Sequence, residues 1–260
     1  MSRQFFVIVP PTPTRLRHPP PNSTVLLLNL GEGLGRGHVL ESSPVNLILA
    51  SNSPRRRQLI ALTGLDFIVS VSDVDESTRE NESPSAYVLR LAEDKARAGM
   101  SRAHADQVIL AADTTVVDGS DILGKPIDEA DAVRMLTQLR GRTHQVYTGV
   151  ALLRMSDGLL LKDVGVTDVP MRNYSDEEIR AYVATGDPLD KAGAYAIQHA
   201  QFSPVAGMDG CYASVMGLPL CHVVRLMRKM NVEPNANVPL NCQALLEYEC
   251  PVFESILNQQ

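Results

Sequence analysis

Residues 108–117 read VILAADTTVV, a nearly continuous apolar run, rich in β-branched side chains, that one carboxylate interrupts. Runs of this kind are strands buried on both faces, so this one requires packed layers above and below a sheet. A carboxylate inside such a strand carries a large desolvation cost unless it is hydrogen-bonded, paired with a cation or bound to a metal. Asp113 is therefore the first candidate for chemistry. The bland alternative is that amides of Thr114 or Thr115 and a neighbouring turn satisfy its oxygens.

Upstream, residues 47–60 read LILASNSPRRRQLI, a second buried strand that runs straight into a helix. Ser53 suits the N-cap and Pro54 the first helical position, with Gly64 as the stop signal. Arg55, Arg56 and Arg57 then occupy the first turn, where the macrodipole and the unpaired N–H groups already favour anions. Successive helical residues point about 100° apart, so at most two of the three arginines can face one ligand. With the Ser51 and Ser53 hydroxyls they describe a phosphate site, against the alternative of a basic, solvated helix start. Between the two strands, residues 66–72 read as a short strand and Ser83-Pro84 opens a helix. On that helix Val88, Leu91, Ala92 and Lys95 share one stripe. Lys95 thus lies on the apolar face, where it either snorkels out or meets an anion in a cleft.

Downstream, Asp118-Gly119 is a hairpin turn that returns the chain to Gly124-Lys125-Pro126, a second cation near the acidic strand. Asp128 caps a helix through Leu139, and residues 144–154 form a further strand. Ser175-Asp176-Glu177-Glu178 is a capping box. Residues 190–198, DKAGAYAIQ, set small residues where side chains would block a ligand beside polar ones able to line a pocket. Leu218-Pro219 opens a last amphipathic helix. Strands that alternate with helices in this way give an α/β fold.

The chain of 260 residues carries a net charge of −6 and is 44% hydrophobic, enough for a sizeable core. That balance, with 5% aromatic residues, argues against a protein that reads nucleic acid. No run reaches the roughly 18 apolar residues of a membrane span. The four cysteines, at 211, 221, 242 and 250, lack C-x-x-C spacing, and the six histidines show no paired metal spacing, so a zinc site is not expected. Free thiols are the simplest reading, with a Cys242–Cys250 pair as a lesser one. Residues 1–44, rich in proline and glycine, fit a targeting segment, sequence upstream of the true start, or the preferred reading, a poorly ordered extension. Residues 231–260 read as a polar, weakly patterned tail.

Ser51-Asn52-Ser53-Pro54-Arg55-Arg56 resembles the S-x-S-P-R-R signature of the Maf family of nucleoside triphosphate pyrophosphatases. Further matches follow in order: Asp75-Glu76, Lys95 with its neighbours, Ala112-Asp113-Thr114, Gly124-Lys125-Pro126, Gly141-Arg142-Thr143-His144, residues 190–198 and Gly217-Leu218-Pro219. They span about residues 46–230, and the resemblance implies one domain over 45–230. It implies an elongated mixed sheet with flanking helices, two lobes around a cleft and a homodimer, as in the inosine triphosphatase-like folds. It also implies cleavage between the α and β phosphates, releasing a nucleoside monophosphate and pyrophosphate. In that scheme Asp113 orients or deprotonates water, Lys95 and Lys125 neutralise the triphosphate, and Ser51, Ser53, Arg55 and Arg56 grip it. Glu76 and Asp113 bind a divalent metal, magnesium by default or manganese.

Arginine after Pro54, together with Gln198, resembles the subgroup that acts on dTTP, UTP and modified pyrimidine nucleotides; His199 departs from the glycine common at its position. Three rivals stay open: a purine-directed pyrophosphatase acting on ITP or XTP, a nucleotide-binding regulator of cell division without turnover, and a nucleic-acid-binding module. The default address is the cytoplasm.

Overall fold

Period-two alternation along two neighbouring strands sets the architecture. In β1 (Leu47–Leu49) and β3 (Val108–Asp118), Leu47, Leu49, Val108, Leu110 and Ala112 join one large core. Ile48, Ile109 and Ala111 join a second core on the opposite face. The sheet therefore carries an apolar layer on each side, as the run at 108–117 demands. The computed structural model describes residues 47–71 and 73–259; the expected extension at 1–44 lies outside the described residues.

The sheet runs β2–β1–β3–β5–β6, with β2 (Phe67–Val69), β5 (Thr143–Arg154) and β6 (Leu160–Pro170). The strand β4 (Asp121–Leu123) closes a hairpin on β3, across the expected turn at Gly119. Pairing of β1 with β2 and β3 is parallel, whereas β5 pairs antiparallel with both β3 and β6. This is the mixed α/β sheet that the sequence implies.

Helix α2 (Pro84–Ala98) covers one face, where Ala92 and Ala96 pack on Ile109, Ala111 and Ala151. On the other face lie α1 (Pro54–Ile60), α3 (Glu129–Leu139), α4 (Asp176–Val183) and α6 (Leu220–Lys229). The short helix α5 (Tyr212–Val215) precedes α6. The start signals in the sequence act as read. Ser53 accepts from the Arg56 amide, Ser83 from the Ala86 amide and Asp128 from the Asp131 amide. Ser175 and Glu178 form the reciprocal capping box.

Two features depart from expectation. Strand β6 carries no clear signal, because it is a partly exposed edge strand with Gly165 in its middle and Pro170 at its end. Residues 231–260, weakly patterned in sequence, hold two helices, and α6 is not the last helix. Asn237 caps α7 (Val238–Leu246) by accepting from the Leu240 amide at 3.2 Å, and α8 (Phe253–Leu257) follows. Val232, Val238 and Ile256 are buried, and Cys242 and Leu246, at i+4 and i+8 from Val238, pack on the same core. No helix among the described residues is long and apolar enough to cross a membrane.

Candidate active site

The pleat of β3 decides which neighbours Asp113 meets. Counting from Ile109 and Ala111, Asp113 falls on the α2 face, and Thr114 falls on the opposite face. The stripe on α2 ends at Lys95, which therefore reaches Asp113. Its Nζ donates to Asp113 Oδ1 at 2.6 Å and lies 2.6 Å from Glu76 Oε1. One ammonium thus bridges two carboxylates. Tyr87 fixes the far side of this bridge, since its hydroxyl donates to the Glu76 carbonyl at 2.8 Å.

Close approach of α2 depends on Gly149, which pairs with Asp113 across the β3–β5 ladder. A Cβ there would lie 2.5 Å from the Val88 carbonyl oxygen and 2.9 Å from the Leu89 nitrogen, both helix backbone. Only glycine lets the helix sit so near the strand that carries Asp113.

The three arginines of α1 separate as their helical phase requires. Arg57 is exposed. Arg56 turns across β3 toward the opposite face: its Nε donates to the Gly217 carbonyl at 2.8 Å, and its two terminal nitrogens donate to Ser51 Oγ at 3.2 Å and Thr114 Oγ1 at 3.1 Å. Gly217 holds φ 106° to present that carbonyl, a conformation that side chains disfavour. Arg56 thus braces the cleft wall, and most of its donors are committed to protein rather than open to a ligand. Arg55 makes no hydrogen bond or ion pair within the described residues.

These groups line one cavity of about 580 Å³. All the residues expected from the sequence border it: Ser51, Ser53, Arg55, Arg56, Glu76, Lys95, Asp113, Lys125 and Gln198. Gln198 and Lys125 are exposed at its margin, whereas Ser51 and Asp113 are buried. The cavity lies in the size range of small-molecule sites.

Electrostatics split the two carboxylates. Burial drives Asp113 above the ordinary carboxylate value, although Lys95 and Arg56 pull it back. Burial also pulls Glu76 upward, but the Lys95 hydrogen bond and charge, with Lys125 and Arg56, prevail and hold it below its ordinary value. Asp113 Oδ2 has no partner within the described residues. Two hard carboxylate oxygens held by one lysine suit magnesium, which takes one or two carboxylates and keeps waters or phosphate oxygens for the rest. Among the described residues no three His, Cys, Asp or Glu side chains converge as a closed metal cage.

Sequence reasoning assigned no role to Lys191, which also borders the cavity. Its Nζ is buried against Asp187 Oδ1 at 2.9 Å and Asp190 Oδ1 at 2.6 Å. The signal was present in Asp190-Lys191, but nothing in the spacing told a pocket lysine from a surface one. His199, the departure beside Gln198, stacks edge-on to Tyr182 at 4.7 Å, and its Nδ1 accepts from the Phe202 amide at 3.0 Å. It anchors the loop that ends the Gln198 wall.

The model of a family described as "Maf-like protein" matches residues 46–230. A dTTP/UTP pyrophosphatase of Geobacter sulfurreducens is 50% identical over 185 residues, which cover 71% of this chain and 96% of that protein. A dTTP/UTP pyrophosphatase of Escherichia coli O157:H7 is 44% identical over 186 residues, covering 72% and 93% respectively. Among solved structures, a nucleoside-triphosphatase, dITP/XTP pyrophosphatase, of Mycobacterium abscessus aligns with TM-score 0.34 at 14% identity, over 50% of this chain and 74% of that one. With well over half of its length matched by the family model, and with close relatives covered almost end to end, the chain belongs to the Maf-like family.

Proposed function

We propose that the chain is a nucleoside triphosphate pyrophosphatase that converts dTTP, UTP and modified pyrimidine nucleotides to the monophosphate and pyrophosphate. The observation that carries this reading is the pairing, in one cleft, of a buried carboxylate with cations of separate origin. A triphosphate needs both, because cations and amides hold its charge while a base directs water at phosphorus.

Arg55 and Lys125 have no partners within the described residues, so they are the groups free to take the β and γ phosphates. Ser53 and the amides that start α1 meet the same anion. Burial keeps Asp113 a stronger base than an ordinary aspartate, and Oδ2 is the atom that accepts the proton of the attacking water. Lys95 fixes the rotamer of Asp113 through Oδ1 and keeps Glu76 beside it. Magnesium, when bound at Glu76 and Asp113, supplies charge neutralisation at the phosphate oxygens. Gln198 offers both a donor and an acceptor to a pyrimidine edge. The proposal includes a homodimer, taken from the family resemblance, and the default cytoplasmic address.

The test is to incubate the protein and Mg²⁺ with UTP, dTTP, CTP, GTP, ITP and 7-methyl-GTP, measuring pyrophosphate and orthophosphate separately. Pyrophosphate from UTP and dTTP is expected, with Asp113→Asn reducing the rate by about 10²–10⁴-fold. Pyrophosphate chiefly from ITP would move the base preference to purines. Orthophosphate alone, or tight binding without turnover, would refute the proposed reaction.

A further inference from the structure

The chain's four cysteines are scattered in sequence, yet the fold brings them together. Cys211 precedes α5, Cys221 lies on α6, Cys242 on α7 and Cys250 in the turn before α8; all four are free and line one small cavity of about 20 Å³. Rings of Tyr212, Tyr248 and Phe253 complete much of its wall. Two of the thiols, Cys242 and Cys250, come from residues beyond the 46–230 family region, so the arrangement joins the C-terminal helices to the domain that matches the family.

Tyr248 draws one pair of these thiols together. Its one hydroxyl proton is shared between the carbonyls of Gly210 at 2.9 Å and Met208 at 3.2 Å, and its oxygen accepts from the Gly210 amide at 3.2 Å. That clamp acts two residues before Cys250 and one residue before Cys211. Gln243 holds the Cys250 amide at 3.0 Å. The two thiols line the same small cavity on either side of that clamp. Cys211 is buried, whereas Cys250 is partly exposed and can meet a small oxidant. The neighbouring Cys211, against the opposing effect of burial, holds Cys250 below the ordinary thiol value, which favours its thiolate.

We propose that Cys211 and Cys250 form a peroxide-responsive thiol pair whose disulfide staples the C-terminal helices to the segment that leads into Gly217. The Cys250 sulfur attacks one oxygen of hydrogen peroxide, the O–O bond breaks, and the leaving hydroxide takes up the thiol proton as water. Cys211 then attacks the sulfenic sulfur, the S–O bond breaks, and hydroxide leaves with the Cys211 proton as a second water. Two thiols are oxidised and one peroxide is reduced. The remaining pair, Cys221 and Cys242, stays reduced.

The experiment treats the full chain with a slight excess of hydrogen peroxide, counts free thiols after denaturation and maps unreduced peptides. Expected are a fall from four thiols to two, an intrachain Cys211–Cys250 peptide, and an unfolding midpoint raised by several degrees and restored by dithiothreitol. Cys250→Ser should keep its three thiols, Cys211→Ser should form no intrachain bridge and lose at most the Cys250 thiol, and Cys242→Ser should still lose two. A bridge at any other pair, a link between chains, or four unreacted thiols would overturn the proposal. So would zinc or iron bound stoichiometrically in the protein as purified and released as the thiols react, since the four sulfurs would then be metal ligands. Mapping the unsubstituted chain keeps the test valid if a variant fails to fold.

Discussion

Substituting Gly149 by alanine should damage the site without touching any group that meets substrate. The added Cβ would sit 2.5 Å from the Val88 oxygen and 2.6 Å from its carbonyl carbon, about 0.9 Å short of ordinary contact. Both are backbone atoms of α2, so no rotamer change relieves the clash, and helix and strand must part by a comparable distance. Overpacking of this kind costs about 1–3 kcal/mol. For a domain of this size that is a loss of about 2–12 °C in Tm. The same movement stretches the 2.6 Å Lys95–Asp113 contact out of hydrogen-bond range. A misplacement of about 1 Å at a reacting centre lowers kcat/KM by about 100-fold. Thermal unfolding and steady-state pyrophosphate release measure the two effects. Gly207→Ala is the control, because nothing lies within 4 Å of a Cβ there. If Gly149→Ala kept both the parent Tm and the parent rate, the dependence of the site on close approach of α2 would be refuted.

Four further outcomes follow from the geometry. Because burial raises Asp113, the rate should fall, as pH is lowered, well before an ordinary aspartate protonates; Glu76 adds to that rise, so in a pH profile Glu76→Gln should move the acid limb downward. Arg55→Ala should raise KM with Tm unchanged. Arg56→Ala, which removes hydrogen bonds to Ser51, Thr114 and Gly217, should destabilise the fold by about 1–3 kcal/mol in urea titration. Truncation after residue 230 removes Val238 and Ile256, each worth about 1.5–3 kcal/mol when buried, so a loss of roughly 3–6 kcal/mol is expected and a parent-like urea midpoint would contradict it.

Local signals carried much of this arrangement. Asp113 was legible because one charge in a run of apolar β-branched residues has few physical outcomes, and Lys95 because its stripe on α2 left it no wet face. Ser53, Ser83, Asp128 and Ser175 act within four residues of themselves, so their caps could be read directly. What stayed hidden depends on distant partners. Arg56 and Arg55 look alike in the sequence, and only the carbonyl of Gly217, 161 residues away, makes one a brace and leaves the other open. Gly149 carries no turn signal, since its purpose is to admit another element. The weak pattern in 231–260 packs because α6 offers it an apolar face, and the convergence of four irregularly spaced cysteines arises from four separate elements.

The pleat of β3 works as a reading frame. Asp113 and Thr114 are adjacent in the chain but serve partners on opposite sides of the sheet, Lys95 in one case and Arg56 in the other. A one-residue deletion between Val108 and Ala112 would pass each side chain to the wrong partner, whereas a two-residue change would restore the phase and only shift the site along the strand. A change of two residues in the length of this strand therefore keeps its partners in phase, whereas a change of one requires a compensating β-bulge.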